Sequence, residues 1–176
     1  EHYLIKSNRR GIVLWKASFY GRVVDMDFRN GYVYLLTRFS FNRNYNFQFG
    51  SATINEARVT NRSQFSYYYV YKFSQNGTAL DAGKIMEITD RSRINNFAVR
   101  NDGDLLFYIQ NARPAGAFNK CPFTFKNTTL FDDQGGSTGN YCFLLSAGMH
   151  SGLKWIRNTG YCNYTLTENG ANRMEY

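Results

Sequence analysis

Two carboxylates one residue apart, Asp25 and Asp27, are the first residues in this chain whose spacing suits chemistry. Alternate residues of a β-strand share a face, and paired carboxylates carry acid–base work in glycoside hydrolases. The same spacing suits a structural pair of polar side chains on an inner strand, and that reading is preferred. The two histidines, His2 and His150, stand at the start of the sequence and in a predicted turn, where both read as solvent residues. A Ser-His-Asp or Cys-His centre needs an imidazole held by a partner, so nucleophilic catalysis is poorly supplied. Gly-rich phosphate cradles are absent. The chain is expected to be no enzyme and to need no cofactor.

Three cysteines, Cys121, Cys142 and Cys162, lack the paired spacing of a zinc site, and two histidines give them little help. Cys121 and Cys142 bracket a long loop that a disulfide between them would close, leaving Cys162 odd. Three reduced core cysteines are the alternative. That loop carries Phe131-Asp132-Asp133-Gln134-Gly135-Gly136, whose oxygens suit Ca²⁺ in type but not in order, so an ordinary loop is expected and no metal.

A second long loop, 38–66, holds alternating aromatics: Phe39, Phe41, Tyr45, Phe47 and Phe49, with Arg38, Arg43, Arg58 and Arg62 around them. Period-two alternation reads first as an extra strand whose aromatic side packs inward. The sharper reading is a contact strip for a glycan or a protein, with Phe39, Phe41, Arg43, Tyr45, Phe47, Phe49, Arg58 and Arg62 as its residues. It lacks the aromatic–basic signature of a ribonucleoprotein sheet, so nucleic acid is not an expected partner.

These residues need elements to hold them. Aromatics make up 18% of the 176 residues, with 14 Tyr and 15 Phe against 2 Pro, a composition that favours pleated, half-buried surfaces. The chain is long enough for a single domain, 1–176, with a substantial core. Apolar runs fall far short of the roughly 18 residues that span a bilayer, and the sequence opens without a charged-then-apolar leader. The net charge of +8 comes without a dense basic block, and suits solubility as well as it suits an anionic partner. Four Asn-x-Ser/Thr sequons, at Asn61, Asn76, Asn127 and Asn163, give weak support for glycosylation and for an extracellular or cell-surface location.

Two kinds of hairpin recur. The first kind reads Val23-Val24-Asp25-Met26-Asp27-Phe28, turns at Asn30-Gly31, and continues Tyr32-Val33-Tyr34-Leu35-Leu36. It returns at 96–108 around Asp102-Gly103, and more weakly at 161–176 around Asn169-Gly170. Asn-Gly and Asp-Gly supply the positive φ angles that tight hairpin turns require. The second kind runs through Gly11 at 3–15, through Gly77 at 69–80, and through Gly148 to Gly152 at 141–156. The kinds alternate with a period near 70 residues, giving units at about 20–90 and 93–158 and half units at 2–16 and 161–176.

A four-stranded antiparallel unit repeated in series resembles the blades of a β-propeller, with the second kind as the outer pair and "Val-Asp-Met-Asp-Phe" opening the inner pair. The resemblance is architectural and covers most of the chain; no WD dipeptide or kelch glycine pair accompanies it. A β-sandwich or jelly roll is the alternative. The resemblance implies a non-enzymatic interaction or assembly module, with a partner or a second copy completing its sheet edges. A glycan-binding adhesin using 38–66 and a fragment of a propeller hydrolase are the other readings. If the ends meet, 161–176 and 2–16 share a blade and the ring has only three, so a segment of a larger propeller, or a half that pairs with another copy, is the preferred expectation.

Overall fold

The computed structural model describes residues 1–40, 44–56, 65–89, 92–112, 123–125, 128–130 and 140–161. These form fourteen β-strands and, among the described residues, no helix. All strand pairings are antiparallel. The all-β class read from the aromatic and turn-residue pattern is therefore the class observed.

Four strands in chain order make the first large sheet: β3 (Arg22–Arg29), β4 (Tyr32–Ser40), β7 (Phe65–Ser74) and β8 (Ala79–Thr89). Each pairs with the next, so the chain meanders across the sheet. A second meander follows: β9 (Ser92–Val99), β10 (Leu105–Ala112), β13 (Asn140–Ala147) and β14 (Leu153–Tyr161). Turn chemistry fixes the first hairpin. Asn30 and Gly31 both take positive φ, at 52° and 78°, so the two-residue turn twists in the hand that β3 and β4 require.

A hairpin of β1 (His2–Ser7) and β2 (Val13–Phe19) stands as a two-stranded sheet of its own. It is the first of three outer hairpins that share one irregularity. Ser7 faces Val13 and then Lys6 faces Trp15; Phe73 faces Ala79 and then Lys72 faces Asp81; Ala147 faces Leu153 and then Ser146 faces Trp155. Each step leaves one extra residue, at Leu14, Leu80 and Lys154, which is a bulge that bends and twists the strand at the same place in every copy.

The segments expected as long loops contain strands. Within 38–66, β5 (Tyr45–Phe49) and β6 (Ala52–Glu56) form a hairpin. Within 109–140, β11 (Phe123–Phe125) and β12 (Thr128–Leu130) pair with each other, and β11 joins β8, widening the first sheet to six strands. Period-two aromatics explain the first case, since one side of β5 finds an apolar surface to cover.

Two apolar layers result. The forward face of the first sheet sets Tyr34, Leu36, Tyr68, Val70 and Met86 against Phe97, Val99, Leu105, Phe107, Phe143 and Leu145 of the second. Its back face sets Leu35, Phe39, Tyr69, Tyr71 and Phe73 against Phe19, Leu4 and Ala17 of the β1–β2 hairpin and against Phe49 and Ile54 of the β5–β6 hairpin. β4 and β7 are covered on both faces, which explains why they read as unbroken apolar runs rather than alternations. Gly83 lets the sheets approach, because a Cβ there would stand 2.6 Å from the Met149 carbonyl oxygen.

Candidate functional site

Register places the paired carboxylates. Asp25 lies opposite Leu36 and Asp27 opposite Tyr34, so both face forward, toward the second sheet. Each then bridges to the outer edge of β9. Asp25 Oδ2 accepts the Phe97 N–H at 2.9 Å, and Asp27 Oδ2 accepts the Val99 N–H at 2.7 Å. The other oxygen of each accepts the N–H of its own successor, Met26 or Phe28, at 2.8 Å. Arg29 Nε donates to the Val99 carbonyl at 3.0 Å, and Asn30 Nδ2 to the Asn101 carbonyl at 2.9 Å.

Alternate side chains of one edge strand thus occupy the backbone groups of another. Among the described residues no strand pairs with β9 on this side, and its N–H groups would otherwise be buried without acceptors or offered to a stranger. The partners of Asp25 and Asp27 lie 72 residues onward, the same separation as the turn residues Gly31 and Gly103. Carboxylates already accepting two N–H bonds each are occupied by structure.

The outer hairpins make a second line of ties. Trp15 Nε1 donates to the Gln75 carbonyl at 2.9 Å, and its ring lies over Gly77 in the β7–β8 turn. Asp81 occupies the register position of Trp15 one unit on, and it too reaches the next turn, meeting His150 Nε2 at 2.5 Å. Ser51 Oγ reaches the other Asp81 oxygen at 3.2 Å. Burial alone would raise the Asp81 carboxyl, but His150, the Ala82 N–H and Ser51 together hold it below its ordinary value. The order Ser51–Asp81–His150 sets the carboxylate, not the imidazole, against the hydroxyl. Such a tie joins three hairpins and supplies no imidazole base to the serine. His150 is exposed as expected, yet it is tied rather than merely solvated. Only the repeated register position announces this, and the sequence reading did not use it.

The aromatic strip is distributed between core and undescribed residues. Phe39 is 0% exposed and Phe49 is buried, while Tyr45 and Phe47 pack against the same cluster. Phe39 meets the Tyr45 ring edge-on at 4.7 Å and the Tyr69 ring at 5.1 Å. Phe41, Arg43, Arg58 and Arg62 lie outside the described residues. Glu56 closes this region by accepting from the Tyr69 hydroxyl and from Lys84. Of the sequons, Asn76 is exposed in the β7–β8 turn; Asn61, Asn127 and Asn163 lie outside the described residues. Cys142 is buried on β13, and Cys121 and Cys162 fall outside, so the expected Cys121–Cys142 pairing does as well. Among the described residues no cluster of ligating side chains suits a metal, and no helix is long and apolar enough to cross a membrane.

Among the described residues, one apolar region that stays uncovered is the hairpin of β1 and β2. Tyr3, Ile5, Ile12, Val13 and Leu14 are each 50–58% exposed. Tyr3 faces Ser18, Ile5 faces Lys16 and Val13 faces Ser7, so Tyr3, Ile5 and Val13 share the side of the hairpin turned away from the first sheet. Lys16 Nζ folds over the Tyr3 ring at 3.5 Å, which leaves the aliphatic side chains as the main contact surface. Scattered apolar residues are ordinary on a surface, but these three on one face of the hairpin, with Ile12 and Leu14 exposed beside them, make a patch of the kind used for association. No family model, curated protein or solved structure matches this chain.

Proposed function

We propose that the chain is an extracellular, propeller-like interaction module that binds polypeptides through the outward face of the β1–β2 hairpin, with a second copy of itself as the first partner. The observation that carries this reading is the contrast between one edge stitched by Asp25 and Asp27 and one end left apolar at Tyr3, Ile5 and Leu14. An apolar sheet face gains about 25 cal/mol for each Å² it removes from water, a gain available here only by covering it. Light scattering over a concentration series tests the reading. The wild type is expected to show species above the single-chain 20.4 kDa, and the Ile5→Lys/Leu14→Lys variant to stay at that mass. A wild type that is monomeric at every concentration rejects the self-partner.

The extracellular part of the reading draws on the exposed sequon at Asn76 and on the expected pairing of Cys121 with Cys142. A mass decrease on glycosidase treatment of the secreted protein is the expected result. The glycan-binding reading of 38–66 has less support, because a ligand cannot stack on rings packed as Phe39 and Phe49 are. The hydrolase reading has less as well, since Asp25 and Asp27 already accept two backbone bonds each.

A further inference from the structure

Three turns among the described residues place an Asn or Asp directly before a glycine: Asn30-Gly31, Asn76-Gly77 and Asp102-Gly103. Asn30, Asn76 and Asp102 are all exposed. Such a pair is chemically labile, because the glycine nitrogen has no neighbouring side chain to screen it. That nitrogen can attack the side-chain carbonyl carbon of the residue before it and close a five-membered imide. The attack requires the glycine N–H to give up its proton, which is harder while a carbonyl holds it. It also requires room for the two atoms to meet.

The three turns differ in what holds the glycine. Gly77 N donates to the Ser74 carbonyl at 3.0 Å, and Gly103 N to the Arg100 carbonyl at 3.0 Å. Around Gly77 the clamp is doubled. Asn76 N and Thr78 N both donate to Ser74 Oγ, at 3.3 and 3.1 Å, and the Trp15 ring lies over the glycine itself. Asp102 is fixed as well: its Oδ1 accepts the Asp104 N–H at 3.0 Å, and its Oδ2 lies 3.4 Å from Arg100 Nη2. Gly31 has no such clamp. Among the described residues nothing accepts from its N–H, and a Cβ added there would meet no atom within 4 Å. The restraint falls on the other reactant instead, through the exposed bond from Asn30 Nδ2 to the Asn101 carbonyl at 2.9 Å. That bond holds the nitrogen that must leave, and a single exposed hydrogen bond costs little to open.

We propose that Asn30 is a self-modifying site, where the turn converts to an imide and then to aspartyl and isoaspartyl forms. Water is the only co-reactant. Gly31 N gives its proton to hydroxide and bonds to Asn30 Cγ. The Cγ–Nδ2 bond breaks, and Nδ2 takes a proton from water and leaves as ammonia. Water then opens the imide at either carbonyl. Opening at the side-chain carbonyl restores a normal backbone bearing a carboxylate; opening at the backbone carbonyl routes the chain through the side chain. Nothing is oxidised or reduced. Position gives the reaction its consequence. Asn30 Nδ2 is one of the groups that tie the first sheet to the second, next to Arg29 Nε on the Val99 carbonyl. Either product loses that donor and sets a negative charge beside the Asn101 carbonyl oxygen. The isoaspartyl form also adds a carbon to a two-residue turn. The seam between the sheets therefore loosens from its turn end, irreversibly and with age, whatever the chain associates with.

Incubation in heavy-oxygen water at mildly alkaline pH, followed by peptide mass mapping, tests the proposal, because each ring opening installs one heavy oxygen. The full chain is used without glycosylation, so that Asn76 is free to react. In the folded protein the peptide carrying Asn30 is expected to gain label at least about tenfold faster than the peptide carrying Asn76, the rate equivalent of one hydrogen bond on the Gly77 amide. In the chain unfolded by denaturant the two peptides are expected to gain label at equal rates. A folded-state ratio no larger than the unfolded one overturns the proposal. The Asn30→Gly variant keeps a residue suited to positive φ and removes the reacting carbon, so label persisting in its turn peptide overturns the assignment too. The Asn30→Asp variant reproduces the aspartyl product and reads the consequence. Amides across 92–99 are expected to exchange at least about threefold faster than in the wild type, and exchange no faster than that of the wild type overturns the loosening of the seam.

Discussion

Two edge strands in this molecule face the same physical problem and meet it differently. β9 turns unpaired backbone groups toward β3, and the side chains of Asp25, Asp27 and Arg29 take them one by one. β1 keeps one edge on which, among the described residues, no strand pairs, and Tyr3 and Ile5 on its outward face are exposed. An edge strand is a template for further pairing unless something caps it. The stitched edge is spent inside the fold, whereas the face beside the bare one is where the proposed partner binds. Charge placed at period two on one strand is enough to make that difference.

Removing the stitches is expected to have the largest effect. Asp25→Ala with Asp27→Ala leaves the Phe97 and Val99 N–H groups without acceptors, at about 1–3 kcal/mol each, and denaturant unfolding should register a loss of roughly 2–6 kcal/mol. The corresponding Asn pair keeps one acceptor oxygen per side chain and should lose less, which sharpens the assignment to hydrogen bonding. Gly77→Ala comes next. Gly77 has φ of 81°, and a Cβ there would stand 2.6 Å from the Trp15 ring, so a loss of about 1–2 kcal/mol and a change in Trp15 fluorescence are expected as the first hairpin shifts. On the bare end, Ile5→Lys should change stability by no more than about 0.5 kcal/mol, because its side chain is already exposed, while it weakens association.

Acid and alkali should act on different ties. Asp81 has a folded-state value held below the ordinary one, so its contribution is present above the ordinary carboxylate range. That contribution is lost as pH falls through the folded value. Replacing Asp81 by Asn should flatten that part of the acid limb of a stability–pH curve. Burial pushes the Tyr68, Tyr69 and Tyr71 hydroxyls up, and Glu56 adds to the shift at Tyr69. Their contribution is complete below pH 10, the ordinary tyrosine value, and is lost as pH rises from there toward the folded values. Unfolding followed by tyrosinate absorbance should show cooperative exposure above that point.

Hairpins were legible in the sequence because turn residues and period-two patterns are local. Asn30-Gly31 dictates a tight turn whatever surrounds it, and the meander of β3, β4, β7 and β8 follows from strands meeting their chain neighbours. Asp25 and Asp27 were legible as a same-face pair, although the N–H groups that donate to them depend on how two sheets stack, which no local pattern encodes. Strand content in 38–66 was visible as alternating aromatics, but the choice between contact strip and core was not. Phe39 looks the same in either setting until Tyr69 and Tyr71 are known to lie beside it. The bulges at Leu14, Leu80 and Lys154 escaped notice because a bulge is defined by the register of a partner strand. The Ser51–Asp81–His150 tie joins three hairpins far apart in sequence and carried no local signal.

Hydrogen exchange measured on dilute and concentrated protein tests the contrast between the two edges most directly. Peptides covering residues 2–19 should become at least about tenfold more protected as concentration rises, while peptides across 22–29 and 92–99 stay unchanged because their seam is closed within one chain. Protection of 2–19 that ignores concentration, or a concentration-dependent change at the Asp25–Phe97 and Asp27–Val99 seam, would contradict the account.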